Sequence, residues 1–169
     1  MKKVLQLLLF GSFLLILSES VSSQGNSGLT IKGTRFEMNG KPFEFTGVSF
    51  FNALYNPEFN KSSEIRREWI RTFNRYGINV LRVWCQWDNS LGFVDSGKGK
   101  TVYNANGTLI PSTLNNITGL LEDADQEGTV ILLVLFSHES WAGNIRLSDD
   151  ASDKAVAEIA TLLKPYRNL

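Results

Sequence analysis

Cysteine and histidine each occur once in the 169 residues, as Cys85 and His138. A single cysteine excludes an internal disulfide and a cysteine-based metal cage, and one histidine beside it leaves no ligand set for a structural zinc. Neither a metal nor any other cofactor is expected. Net charge is lacking too, since 17 Lys and Arg balance 17 Asp and Glu. That balance removes the electrostatic reason to expect nucleic acid or anionic lipid as a partner. No apolar run reaches the roughly 20 residues that a membrane-spanning helix requires.

The longest such run, Val4 to Leu17, is broken by Gln6, Gly11 and Ser12. Lys2 and Lys3 precede it, and Ser18, Ser20, Ser22 and Ser23 follow, with Glu19 where a spanning helix would want basic flanking residues. This is the layout of a secretory signal peptide, with a retained anchor as the alternative. Cleavage is expected near Ser23, where Val21 and Ser23 supply the small side chains that the peptidase reads. The mature product would be secreted or periplasmic, free of the membrane, and carry one excess acidic residue. Residues 1–23 are therefore assigned to the signal and 24–28, rich in Gly, Ser and Asn, to a linker. Residues 29–169 form one folded unit, long enough for a sizeable core.

Hydrophobic periodicity organises that unit. Ile31 to Phe45 alternates around Asn39-Gly40, the strongest short hairpin signal, and Phe45 to Phe51 continues extended. From Ser62 the period becomes helical through Ile65, Trp69, Phe73 and Tyr76, and Gly77 closes the helix. Arg67, Arg71 and Arg75 recur on its other side and are read as a solvated face. Ile78 to Trp84 is a strand whose one charged member is Arg82. Leu114, Ile117, Leu121 and Ala124 mark a helix ending at Gly128, and Thr129 to Phe136 is the most apolar strand. Val156, Ile159, Ala160 and Leu163 mark a last helix, stopped by Pro165. A hairpin followed by β-α-β-α-β-α predicts parallel strands, buried on both faces, joined by crossovers.

An open doubly wound sheet and a (β/α)8 barrel share this beginning. The open sheet would carry a Gly-rich phosphate turn after its first strand, whereas here that strand runs into Phe50, Phe51, Asn52, Ala53, Leu54 and Tyr55. Gly92 to Lys98 spells G-x-x-x-x-G-K, but Gly99 stands where Ser or Thr should hold magnesium. The barrel is the better reading, and its chemistry sits at the carboxyl ends of the strands. Those mouths contain Phe51 and Asn52, then Trp84 to Asp88, then Ser137 to Trp141. Aromatics mixed with hydrogen-bonding groups suit a carbohydrate, whose ring faces stack while its hydroxyls need polar partners.

Three segments carry a family resemblance: Phe36 to Phe50 (FEMNGKPFEFTGVSF), Gly77 to Trp84 (GINVLRVW), and Val130 to Trp141 (VILLVLFSHESW) with His138. Together they resemble the opening of the family 5 glycoside hydrolases, retaining cellulases, mannanases and relatives built on a (β/α)8 barrel, over roughly Leu29 to Leu169. The resemblance implies the N-terminal portion of such a barrel, about three β/α units after a β-hairpin and a signal peptide. It also implies action on O-glycosidic bonds of a β-linked polysaccharide or oligosaccharide. Arg82 matches the strand-two arginine that keeps the nucleophile ionised, and His138 the strand-three histidine of the substrate subsites. Asn52, Trp84, Trp87 and Trp141 fall where relatives place sugar contacts. Each has a plainer role beside it, in which the arginine is paired structurally, the histidine and tryptophans pack, and Cys85 is a small buried hydrophobe.

Retaining glycosidases need two carboxyl groups about 5 to 5.5 Å apart. The resemblance places these glutamates at the ends of strands four and seven, the first preceded by Asn, and no Asn-Glu pair occurs in the chain. The sequence is accordingly expected to stop before strand four, leaving Arg82 without its buried partner at a cost of roughly 3 to 5 kcal/mol. Asp88 and Glu139 are a weaker local alternative for the pair. Such a piece would aggregate and lack activity when alone. A secreted, non-catalytic carbohydrate-binding or interaction protein is the competing function.

Overall fold

Asn39 and Gly40 both adopt left-handed backbone conformations (φ 53° and 76°), which is what a two-residue turn matching the twist of antiparallel strands demands. The chain is described by a computed structural model over residues 28–89, 92, 97–137 and 145–169. The expected signal peptide and all of the linker but Gly28 lie outside the described residues. The Asn39-Gly40 turn joins β2 (Arg35–Met38) to β3 (Lys41–Pro42), and β1 (Leu29–Lys32) pairs with β2 on its other side. The expected hairpin is thus a three-stranded meander. Its extra turn is Gly33-Thr34, with Lys32 opposite Arg35 and Gly33 at φ 61°, a second reversal hidden within an otherwise alternating run.

Next come β4 (Gly47–Ser49), a 3-10 turn (Phe59–Lys61), α1 (Ser63–Arg75), β5 (Val80–Trp84), β6 (Gln86–Trp87) and β7 (Lys100–Thr101). α2 (Pro111–Gln126), β8 (Val130–Val134) and α3 (Asp149–Leu163) complete the order. Local chemistry starts each helix. Ser62 Oγ accepts from Ile65 N at 3.2 Å, Pro111 opens α2, and Ser148 Oγ accepts from Ala151 N at 3.3 Å with Asp149 and Asp150 behind it. These groups answer the free N–H donors and the positive end of the helix dipole. β4, β5 and β8 form one parallel sheet, with Ser49 opposite Arg82 and Arg82 opposite Leu132.

Alternation along these strands separates two faces. Leu81, Val83 and Ile131, each at most 1 % exposed, join the core with Ile70 of α1 and Leu121 of α2. On the other face Arg82 is exposed and Leu132 is 54 % exposed. Burial on both faces, expected from the sequence, is therefore corrected to burial on one. The open face is the one that a closed barrel turns inward, and three parallel strands cannot close. The predicted penalty for a buried, unpartnered Arg82 is likewise corrected, because solvent reaches the side chain.

The arginine stripe also differs from its reading. Arg67 Nε lies 2.7 Å and Arg71 Nη1 3.2 Å from Glu127 Oε1, and Arg71 Nη2 lies 2.7 Å from Glu64 Oε1. α1 lies against α2, so these cations meet the carboxyl end of the neighbouring helix, where the dipole favours them; Arg75 stays exposed. Deeper in the contact, Asp123, with its side chain 4 % exposed, accepts from Ser63 Oγ and Arg66 Nε, both at 2.6 Å. Gly119 gives Arg66 room, since a Cβ there would stand 2.9 Å from Arg66 Nη2.

The segment after α3 returns to the sheet. Asn168, 2 % exposed, donates from Nδ2 to Leu121 O (3.0 Å) and Thr129 O (3.2 Å), and its carbonyl accepts from Ile131 N at 2.8 Å. Leu29 N donates to Arg167 O at 2.8 Å, fastening the meander to the same place. Below the sheet, at the amino ends of β5 and β8, Phe36, Phe43, Phe45, Val80, Val130 and Leu132 help to line an apolar cavity of about 390 Å³.

Asp123→Ala is expected to cost roughly 3 to 5 kcal/mol in urea unfolding, because it strands a largely buried guanidinium. Asn168→Ala should cost roughly 1 to 3 kcal/mol by unmaking two buried hydrogen bonds. Leu132→Glu should raise the soluble fraction on expression at little cost to the unfolding midpoint, since the side chain it replaces is half exposed at the edge of the apolar cavity; a fall in both would show that Leu132 is packed in solution.

Candidate functional site

The carboxyl ends of the three parallel strands are aligned by continued pairing: Phe50 N donates to Arg82 O and Cys85 N to Val134 O, both at 2.9 Å. Arg82 and Trp84 project on the open face of β5, two residues apart. The guanidinium carbon of Arg82 stands 5.2 Å from the Trp84 ring centroid, and Phe51 meets the same ring edge-on at 4.9 Å and 65°. A cation, an indole and a phenyl ring thus form one stack at the mouth. The arrangement adds cation–π and quadrupolar contacts to the partial burial of Trp84. Its indole Nε1 is buried and has no hydrogen-bond partner among the described residues.

The other sequence candidates are placed differently. Asn52 is 7 % exposed, and its backbone carbonyl accepts from Tyr55 N and Asn56 N, both at 2.8 Å, so the residue anchors the turn after β4. Trp87 is 1 % exposed within β6; its ring offers no face to a sugar here, and packing is its observed role. His138 and Trp141 lie outside the described residues. So does Glu139, and the suggested pairing with Asp88, itself 9 % exposed, has no geometry to assess. Of the named positions, the structure brings Arg82 and Trp84 together and adds Phe51.

Sequence reasoning missed the antiparallel pair β6 and β7, a separate two-stranded sheet whose first strand follows directly on β5. Gln86 opposes Thr101 there, and its Nε2 donates to Ile145 O at 2.8 Å and to Thr101 Oγ1 at 3.3 Å. The G-x-x-x-x-G-K segment falls in sequence between β6 and β7, with residues 93–96 outside the described residues. Two-residue strands are too short to show a period. A faint signal was Thr101-Val102-Tyr103, branched and aromatic residues directly after the glycines.

Beneath the mouth Cys85 is fully buried. Tyr55 donates its hydroxyl hydrogen bond to Cys85 O, and Tyr103 donates to Leu135 O at 3.2 Å. Burial pushes the Cys85 thiol up to about 12, offset only in part by a hydrogen bond with Tyr103. Burial, followed by the neighbouring Cys85, raises both tyrosines above their ordinary range. All three groups are neutral at physiological pH, and a protonated buried thiol is neither nucleophile nor metal ligand. Among the described residues no group of three or more His, Cys, Asp or Glu is arranged to hold a metal ion.

No protein-family model and no curated protein matches the sequence. Solved structures do. A family 5 glycoside hydrolase from Bacteroides vulgatus superposes with a TM-score of 0.64 at 14 % identity, over 85 % of this chain and 32 % of that one. Another structure, described as a glycoside hydrolase, superposes with a TM-score of 0.58 at 18 % identity, over 85 % and 33 %. The chain therefore has the fold of part of a glycoside hydrolase barrel and spans about a third of the length of these structures.

Cys85 should resist a thiol reagent at pH 8 in the native chain and react at once in denaturant. A thiol whose folded pKa lies above its unfolded value binds its proton more tightly when folded. Stability should accordingly be unaffected by this thiol below pH 9 and fall by up to about 1.4 kcal/mol per pH unit between pH 9 and 10, below the range where the unfolded tyrosines ionise and add to the slope. Cys85→Ala should flatten that part of the profile, measured by denaturant titration at each pH.

Proposed function

We propose that this chain forms the front of the barrel of an exported glycoside hydrolase that cleaves O-glycosidic bonds in a β-linked polysaccharide such as cellulose or mannan. The observation that carries the reading is the Phe51, Trp84 and Arg82 stack at the carboxyl ends of parallel strands, in a fold shared with glycoside hydrolases. Barrel enzymes build their sites at that end, and an aromatic face beside hydrogen-bonding groups is what a sugar ring requires. The apolar cavity near the amino ends lies at the wrong end for chemistry and belongs to the floor beneath the sheet.

In this reading the chain binds and polarises. Trp84 offers its indole to a sugar, with Asn52 and Trp141 as the further contact positions that the resemblance implies. Arg82 places a permanent positive charge where it stabilises a nearby carboxylate in its ionised form. A retaining mechanism then needs a carboxylic acid to protonate the leaving oxygen and a carboxylate to attack the anomeric carbon. Those two groups come from strands beyond β4, β5 and β8, and His138 supports the substrate beside them. Secretion follows from the leader-like residues 1–23.

The purified chain should be retarded by soluble β-glucan or mannan in affinity electrophoresis, and Trp84→Ala should weaken that retention about tenfold, roughly 1.4 kcal/mol. It should release no reducing sugar. In a polypeptide that continues through further strands with an Asn-Glu pair, Arg82→Ala should lower kcat by orders of magnitude with little change in KM. Hydrolysis by the 169-residue chain alone would refute the division of labour. Sugar retention by a continued barrel without any hydrolysis would favour a carbohydrate-binding protein instead.

A further inference from the structure

Three Asn-x-Ser/Thr triplets occur in the chain, beginning at Asn60, Asn106 and Asn116, and the fold treats them unequally. Asn60 Nδ2 donates to Ala53 O at 2.6 Å and Asn56 O at 2.9 Å, holding the turn before α1. Asn116 lies within α2 and donates from Nδ2 to Leu54 O at 3.1 Å. Both amides are partly buried structural donors. Asn106 is exposed at the tip of the loop closed by the Tyr103–Leu109 bridge, and its Nδ2 makes no hydrogen bond among the described residues.

The oxygen of the Asn106 amide is engaged where its nitrogen is not. Oδ1 accepts from Thr108 Oγ1 at 2.7 Å and from Thr108 N at 3.1 Å, and Asn104 Nδ2 donates to Thr108 Oγ1 at 2.9 Å, fixing the hydroxyl. Hydrogen bonds donated to an amide oxygen draw electron density toward it and make the Nδ2 protons easier to remove. The loop is braced from below, because Gly107 (φ 82°) packs so closely on α3 that a Cβ there would stand 2.0 Å from Ala151 O.

We propose that Asn106 is the N-glycan acceptor of the folded chain, and that a glycan on Asn60 or Asn116 is incompatible with the fold. The inference rests on the export reading and on a host that glycosylates. In the transfer, Asn106 Nδ2 forms a bond to the anomeric carbon of a lipid-linked oligosaccharide pyrophosphate. The bond from that carbon to the pyrophosphate oxygen breaks with its electron pair, and the Nδ2 proton passes to a base of the transferase. A sugar on Asn60 or Asn116 would replace a proton on an amide that packs against the backbone of the turn after β4.

The test is translation of the full chain with glycosylating microsomes, followed by trypsin treatment of the intact vesicles and then of the detergent-released chain to isolate its folded fraction. Enzymatic removal of sugar in heavy-oxygen water then marks each occupied asparagine for mass spectrometry. Folded chain is expected to carry sugar at Asn106, none at Asn60 or Asn116, to lose it in Asn106→Gln and Thr108→Ala, and to keep it in Thr108→Ser. Folded chain with sugar at Asn60 or Asn116, or without it at Asn106, overturns the proposal while leaving export intact. Chain that trypsin digests while the vesicles are intact overturns the export reading and this proposal together.

Discussion

The Asp123 carboxylate is the constraint around which the two central helices are arranged. A charge with its side chain 4 % exposed has to be matched, and Ser63 at the start of α1 together with Arg66 one turn later supply the match. Their geometry fixes both the depth and the rotation of α1 against α2. Once that is set, Arg67 and Arg71 reach Glu127, Asn74 Nδ2 reaches Glu127 O at 2.8 Å, and Thr129 Oγ1 reaches Asn74 Oδ1 at 3.1 Å. The last of these groups leads directly into β8. The pairing of β5 with β8 therefore inherits its position from a polar contact between helices, while the apolar core fills the space so defined. Removing one partner of such a buried pair costs more than the intact pair contributes over a well-packed apolar replacement.

Most of the fold was legible because its long elements have strong periods. The α1, α2 and α3 helices and the strands β5 and β8 were each visible in spacing, and Ser62, Gly77 and Pro165 marked their limits. The features that escaped depend on partners distant in sequence. Nothing in the Arg67, Arg71 and Arg75 spacing tells that Glu127 comes to meet two of the three. Gly33-Thr34 is a weaker turn signal than Asn39-Gly40 and shows only as a shift in phase of the apolar positions, from Leu29 and Ile31 before it to Phe36 and Met38 after it. At the mouth, Arg82 and Trp84 were legible as a charge and an indole two residues apart on one strand. The Phe51 contact required the parallel register of β4 with β5, which no local pattern encodes. Trp87 shows the opposite failure, since an aromatic following a strand reads equally well as a ligand platform or as core.

The two faces of the sheet divide the labour of the molecule. Toward the helices, aliphatic side chains are enclosed and supply stability. Toward the open side, Arg82 and Leu132 alternate charge with bare hydrocarbon, a composition that suits the inside of a closed barrel better than a water-facing surface. Neutral Cys85, Tyr55 and Tyr103 underlie the mouth and add no charge to it at physiological pH.

The clasp formed by Arg167 and Asn168 has a kinetic meaning of its own. Leu29 N is held by Arg167 O and Ile131 N by Asn168 O, so the first strand of the meander and the last strand of the parallel sheet share adjacent acceptors on one short segment. Neither amide can exchange its proton with water unless that segment lifts, and lifting it frees both. The start of the folded unit and its third parallel strand are thereby joined into one opening unit, so their exchange rates should track each other although Leu29 and Ile131 lie 102 positions apart.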